Sequence, residues 1–231
     1  MSNTNDYSQM QKNTVSSENQ VKIGETIYAE NINGKGKRIM FVGNSITLHD
    51  IRPSIGWHLH CGMAASDPKN DYVHIIKSRV LESDVDASFF VCQASGFERG
   101  YMNDNPFVPY EAARDFNADI IIMRIIENCT LSEYDPDVFE KQYKKFVEYI
   151  NKSGKATVIF TTGFWKHPGD EIIKKIAAEL AQPCVYLGDL GQDDKMKAIG
   201  LFEHEGVAAH PGDDGMKAIA DRIWEIMKDL F

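Results

Sequence analysis

Four cysteines in 231 residues, none in a Cys-x-x-Cys pair, leave this chain without the signature of a disulfide framework or a zinc ribbon. Cys61, Cys92, Cys129 and Cys184 are widely scattered and read as thiols of a reducing compartment. Positive charge is also scarce, with 25 Lys and Arg against 34 Asp and Glu and a net charge of −9. That balance argues against a nucleic-acid partner, which needs a basic face to neutralise phosphates, and against docking on anionic membranes. No apolar run approaches the ~18 residues of a membrane span. Residues 1–20 hold no apolar segment of secretory type, so a cytoplasmic location is expected. Nucleotide-binding patterns are absent too: no GxxxxGK[ST] occurs, and no GxGxxG follows a strand. No metal or organic cofactor is implied.

What is present is ordinary in amount and informative in order. Hydrophobic residues make up 43% and charged residues 26%, as in a globular protein with a substantial core. Residues 1–36 read as a polar, partly disordered lead-in with a short extended piece over 23–32, and residues 37–231 as one domain. Within it, apolar, often β-branched runs at 38–43, 87–92, 119–125, 156–161 and 184–187 read as five strands buried on both faces. Helical spacing of apolar residues marks 72–81, 138–150, 171–180 and 216–231. Such alternation predicts a single three-layer α/β/α domain around a mainly parallel five-stranded sheet. Ligands of such sheets bind beyond the carboxyl ends of the strands.

Those ends carry chemistry. Ser45 follows the first strand in Gly43-Asn44-Ser45, Gly96 follows the second, Glu127-Asn128 the third, Thr161-Thr162-Gly163-Phe164-Trp165 the fourth and Gly188-Asp189 the fifth. His210-Pro211-Gly212-Asp213 precedes the last helix. A hydroxyl, an unobstructed backbone N–H, a side-chain amide and an imidazole are the set that acyl transfer by serine requires.

The ordered set Ser, Gly, Asn, His resembles the SGNH hydrolases, also called GDSL-type esterases and lipases, over roughly residues 38–231. Phe41-Val42-Gly43-Asn44-Ser45 matches the first block with Asn in place of Asp, Gly96 the second, Ile126-Glu127-Asn128 the third without its glycine, and His210-Pro211 the last. The resemblance implies a flavodoxin-like fold and a serine ester hydrolase. Ser45 would be the nucleophile and His210 its base, with the N–H groups of Ser45 and Gly96 and the Asn128 amide holding the oxyanion. The implied substrate is a small-molecule or carbohydrate ester, with O-acetyl on a sugar favoured. An acyltransferase using the same pair, or a non-catalytic binding protein on the same scaffold, are the alternatives. One position departs from the pattern: Val207 stands where the family commonly has the aspartate that orients the histidine. Glu127, Asp189, Glu203, Glu205 or a main-chain carbonyl near Val207 are the possible substitutes.

Competing readings accompany these. His167-Pro168-Gly169-Asp170 repeats the His210 tetrapeptide and is a rival base. His58, His60 and Cys61 have zinc-ligand residue types, for which a structural role is the preferred reading. Trp57, Phe97, Tyr101, Phe164 and Trp165 can line a pocket or fill the core.

Overall fold

The computed structural model describes residues 27–231. The tail 1–20 and the first part of the lead-in fall outside those residues. Six strands form one sheet: β1 (Ile27–Glu30), β2 (Arg38–Gly43), β3 (Ser88–Gln93), β4 (Ile120–Arg124), β5 (Thr157–Thr161) and β6 (Cys184–Val185). Their order is β1-β3-β2-β4-β5-β6, with β2 to β6 parallel and β1 antiparallel to β3. The five strands expected from the sequence are all present. The sixth, β1, comes from the extended lead-in, paired from Ile27 opposite Cys92 to Glu30 opposite Phe89 and tied to α1 (Tyr72–Ser83) by Lys77 Nζ on Glu30 Oε1 at 2.5 Å. β6 is shorter than expected because the Leu187 N–H leaves the ladder for the Thr162 hydroxyl (2.8 Å).

Period-two alternation sorts the strand residues between two cores. Ile39, Phe41, Phe89, Val91, Ile120 and Ile122 pack under α1 and α7 (Asp213–Met227). Met40, Val42, Phe90, Cys92, Ile121 and Met123 face α4 (Pro136–Ile150) and α5 (Asp170–Glu179) on the other side. Each such side chain, when fully buried, contributes about 1.5–3 kcal/mol. The long helices start where capping chemistry allows. The Asp71 carboxylate accepts the His74 N–H at 2.7 Å ahead of α1, and Asp135 accepts those of Asp137 and Val138 ahead of α4, where Pro136 takes the first turn. The short helices α2 (Ser95–Gly100), α3 (Glu111–Phe116) and α6 (Glu205–Ala208) escape a periodicity reading because four to six residues hold too little of a turn repeat. Among the described residues no helix is long and apolar enough to cross a membrane.

The strand order also positions the site. The chain leaves β2 for β3 on one side and returns past it to β4 on the other, so the sheet's switch point lies beyond the carboxyl end of β2. The residues after β2, β3 and β4 converge there.

Candidate active site

Ser45 stands two residues past β2, on a helical turn closed by the Thr47 and Leu48 N–H groups on the Asn44 carbonyl (2.9 and 3.0 Å). Gly43 is needed at the strand end: a Cβ there would collide with the Thr47 side chain, whose hydroxyl is engaged with Tyr72 Oη at 2.6 Å. Ser45 Oγ lies 2.8 Å from His210 Nε2, and His210 Nδ1 lies 2.6 Å from the Gly206 carbonyl oxygen. Because a carbonyl can only accept, Nδ1 carries the proton. Nε2 then presents its lone pair to the serine hydroxyl.

His210 precedes α7 and follows α6, in a segment where the His210 N–H bonds the Val207 carbonyl (3.0 Å) and the His210 carbonyl accepts the Ala198 N–H (2.9 Å). Trp165 meets the imidazole edge to face, with centroids 5.0 Å apart. The ring touches the cleft yet is packed closely enough that burial lowers its pKa to about 4, against the smaller raising effect of the Gly206 carbonyl. It is therefore neutral at pH 7, the form that can take a proton.

Among the described residues no carboxylate reaches Nδ1. Val207 is fully buried, Glu203 and Glu205 are exposed, and Asp189 forms a two-pronged pair with Arg222 at 2.6 and 2.8 Å. Glu127 belongs to a buried network behind the serine. There Arg124, fully buried, pairs with Glu127 at 2.7 Å, and Glu127 also accepts the Phe164 N–H at 2.9 Å. Asn44 sits at the hub. Its Nδ2 donates to Glu127 Oε2 (2.5 Å) and Glu98 Oε1 (3.0 Å), while its Oδ1 faces both Arg124 terminal nitrogens (3.2 and 3.3 Å). An aspartate here would set a third carboxylate against two, so the amide is the side chain that fits. Glu98 has no counterpart in the sequence-level reading, since a single glutamate in a short helix gives no signal. Burial and the Glu127 charge push its pKa up, and the donors from Asn44 and Asn128 pull it back.

Asn128 donates through Nδ2 to Glu98 Oε2 (2.6 Å) and accepts from Arg99 through Oδ1 (2.8 Å). With an acceptor at one end and a donor at the other, the amide orientation is fixed, and one Nδ2 hydrogen is left over. The Ser45 and Gly96 N–H groups donate to nothing among the described residues, Gly96 being in the first turn of α2, where helical N–H groups lack internal partners. Ser45, Asn128 and His210 line one cleft of about 280 Å³; Gly96 is exposed and is not among its lining residues, although its chain neighbour Ser95 is. A larger cavity of about 480 Å³, lined by Asn151, Lys152 and Gln182 among others, contains no histidine or cysteine.

The remaining candidates have structural places. His167 is bound at both ring nitrogens, Nε2 to the Cys129 carbonyl and Nδ1 to the Gly169 N–H, each at 3.0 Å. His60 Nε2 meets Asp50 at 2.8 Å, and Cys61 is buried in the core under α1 and α7. Among the described residues no three His, Cys, Asp or Glu side chains are grouped to hold a metal ion. Of the aromatics, Trp57, Phe97, Tyr101 and Phe164 are buried core residues and only Trp165 reaches the candidate site.

No family model and no curated protein matches the chain. Solved structures do. A two-domain esterase active on acetylated mannans superposes with a TM-score of 0.53 at 17% identity, over 86% of this chain and 50% of its own. An acetyl xylan esterase matches at a TM-score of 0.52 and 16% identity, over 82% and 98% of the two chains. A GDSL-like lipase from Parabacteroides merdae ATCC 43184 matches at 0.52 and 12%, over 83% and 95%. The chain thus spans half the length of the first and nearly all of the others. At these identities the likeness is one of fold, and the fold of this chain is the one that the Ser-Gly-Asn-His resemblance implied.

Proposed function

We propose that the protein is a serine ester hydrolase that removes a small acyl group through an acyl-serine intermediate. The observation that carries this reading is the Ser45 Oγ–His210 Nε2 contact of 2.8 Å, with Nδ1 anchored on the Gly206 carbonyl, at the sheet's switch point. Ser45 Oγ attacks the ester carbonyl carbon while its proton passes to Nε2. The resulting oxyanion is held by the Ser45 and Gly96 N–H groups and the free Nδ2 hydrogen of Asn128. Collapse expels the alcohol, which takes the proton from Nε2, and water then releases the acid by the same steps in reverse. The pair works as a dyad, with a main-chain carbonyl in the place of the orienting aspartate. Neighbouring structures named for acetylated mannans and acetyl xylan support an O-acetyl carbohydrate as the substrate class.

The test is hydrolysis of p-nitrophenyl acetate together with labelling by a fluorophosphonate probe. Wild-type protein is expected to do both, and Ser45→Ala neither, with an unchanged circular dichroism spectrum. Retained hydrolysis in Ser45→Ala would overturn the nucleophile assignment; an inert wild type would overturn the enzyme reading.

A further inference from the structure

We propose that the substrate carries a negatively charged oxygen group, a carboxylate or phosphate, bound by Arg52 and Arg99 beside the reacting ester. This rests on the Ser45–His210 reading and narrows its substrate.

The chain has a net charge of −9, yet among the described residues no Asp or Glu lines the cleft around Ser45, whereas Arg52 and Arg99 both do, with His49, His204 and His210. A cleft of one sign within a surface of the other is how a protein concentrates an oppositely charged ligand.

The state of the two guanidinium groups sharpens the point. Arg79, Arg124 and Arg222 are matched to Asp221, Glu127 and Asp189 at 2.5–2.7 Å. Among the described residues Arg99 instead hydrogen-bonds neutral oxygens alone, Ser95 Oγ at 3.2 Å and Asn128 Oδ1 at 2.8 Å. The Arg52 side chain has no hydrogen-bond or ion-pair partner among the described residues, although its backbone is firmly held: its N–H bonds the Trp57 carbonyl (2.8 Å) and its carbonyl accepts the Ile55 and Trp57 N–H groups (3.1 and 3.2 Å), with Trp57 wholly buried. An anchored turn thus carries an uncommitted cation at the mouth of the cleft. Nearby acids are already committed. Asp50 meets His60 at 2.8 Å, and Glu98 is buried behind Asn128 and bonded to it. His49, which also lines the cleft, has its pKa lowered by burial above all and further by both guanidinium charges, while Asp50 raises it. Arginine's planar fork of donors suits a carboxylate or phosphate better than a point charge would.

The experiment compares 4-acetoxybenzoate with its methyl ester at low ionic strength, each rate divided by that of hydroxide-catalysed hydrolysis. The anionic ester is expected to have a kcat/KM at least about tenfold higher, since exposed charge pairs of this type act strongly on association. The ratio should fall toward one in Arg52→Gln and with added salt, and be partly kept in Arg52→Lys. A ratio near one in the wild type, or one unmoved by Arg52→Gln, overturns the proposal. Calorimetric titration of Ser45→Ala with the same two compounds separates this idea from the hydrolase reading. Tighter binding of the anion, lost on adding Arg52→Gln, supports the anion site even if no ester is turned over; equal binding rejects it in either case. Competition by phenyl phosphate against benzoate then tells which oxygen group the arginines favour, and either preference supports the site.

Discussion

His167-Pro168-Gly169-Asp170 and His210-Pro211-Gly212-Asp213 are the same four residues, each leading into a helix, and the fold uses them oppositely. In the first copy the histidine closes on its own loop, with Nδ1 accepting the Gly169 N–H and Nε2 donating to Cys129, and the Asp170 carboxylate accepts the Gly163 and His167 N–H groups. The imidazole is a clamp with no lone pair to spare. In the second copy Nδ1 donates to Gly206, four residues back, and Nε2 is turned outward to Ser45. Asp213 there binds Ser66 and Asn70 and leaves its histidine alone. A carbonyl on the Nδ1 side leaves Nε2 an acceptor for Ser45; an N–H on that side consumes the ring. The tetrapeptide carries neither outcome by itself.

His210→Ala should reduce p-nitrophenyl acetate turnover by at least about 10³-fold, as loss of the base does in serine hydrolases. His167→Ala should leave kcat within a few-fold and instead lower stability by about 1–3 kcal/mol in urea unfolding, because it orphans two backbone groups. The reverse ranking would exchange the roles of the two copies.

A base works when neutral, so activity is lost as pH falls through its pKa. With burial lowering His210 to about 4, the acid limb of kcat/KM should lie near pH 4, well below the ~6.5 of an ordinary histidine. A limb near 6.5 would mean that the ring is far better solvated than its packing implies.

The smallest effect separates the aspartates. Asp170 is buried and accepts two backbone N–H groups, so Asp170→Asn should cost about 1.5–3 kcal/mol. Asp213→Asn, at an exposed cluster, should cost less than about 1 kcal/mol by the same unfolding measurement.

Much of this molecule is legible in the chain because its signals are local. The β-branched runs ending in Gly43 and Arg124 mark buried parallel strands, and Asp135-Pro136 marks a helix start, since each follows from neighbouring residues alone. Ser45, Asn128 and His210 stand at readable element ends, and the structure brings all three to one cleft; Gly96, exposed one residue beyond the cleft-lining Ser95, is not among the lining residues. What was hidden depends on distant partners. β1 is a strand only because β3 offers an edge to pair with. Glu98 matters only because Asn44, Ile126 and Asn128 converge on it from two other strands. Arg52 and Arg99 are ordinary surface residues in sequence, and only in three dimensions is it visible that neither guanidinium pairs with a carboxylate among the described residues. The substitute for the aspartate was hardest to read, because a carbonyl oxygen is present at every residue.

That carbonyl has a mechanical consequence. Gly206 and His210 lie on one short stretch of chain, so a displacement of the stretch carries the imidazole and its anchor as a unit. The proton on Nδ1 stays put during such a movement, and the ring keeps its tautomer. The gap to Ser45, on a different element, is set separately, through the contacts that hold the segment in place: the Ala198 N–H on the His210 carbonyl and Trp165 against the ring. Tautomer and position are thus fixed by different partners, the first within the segment and the second outside it.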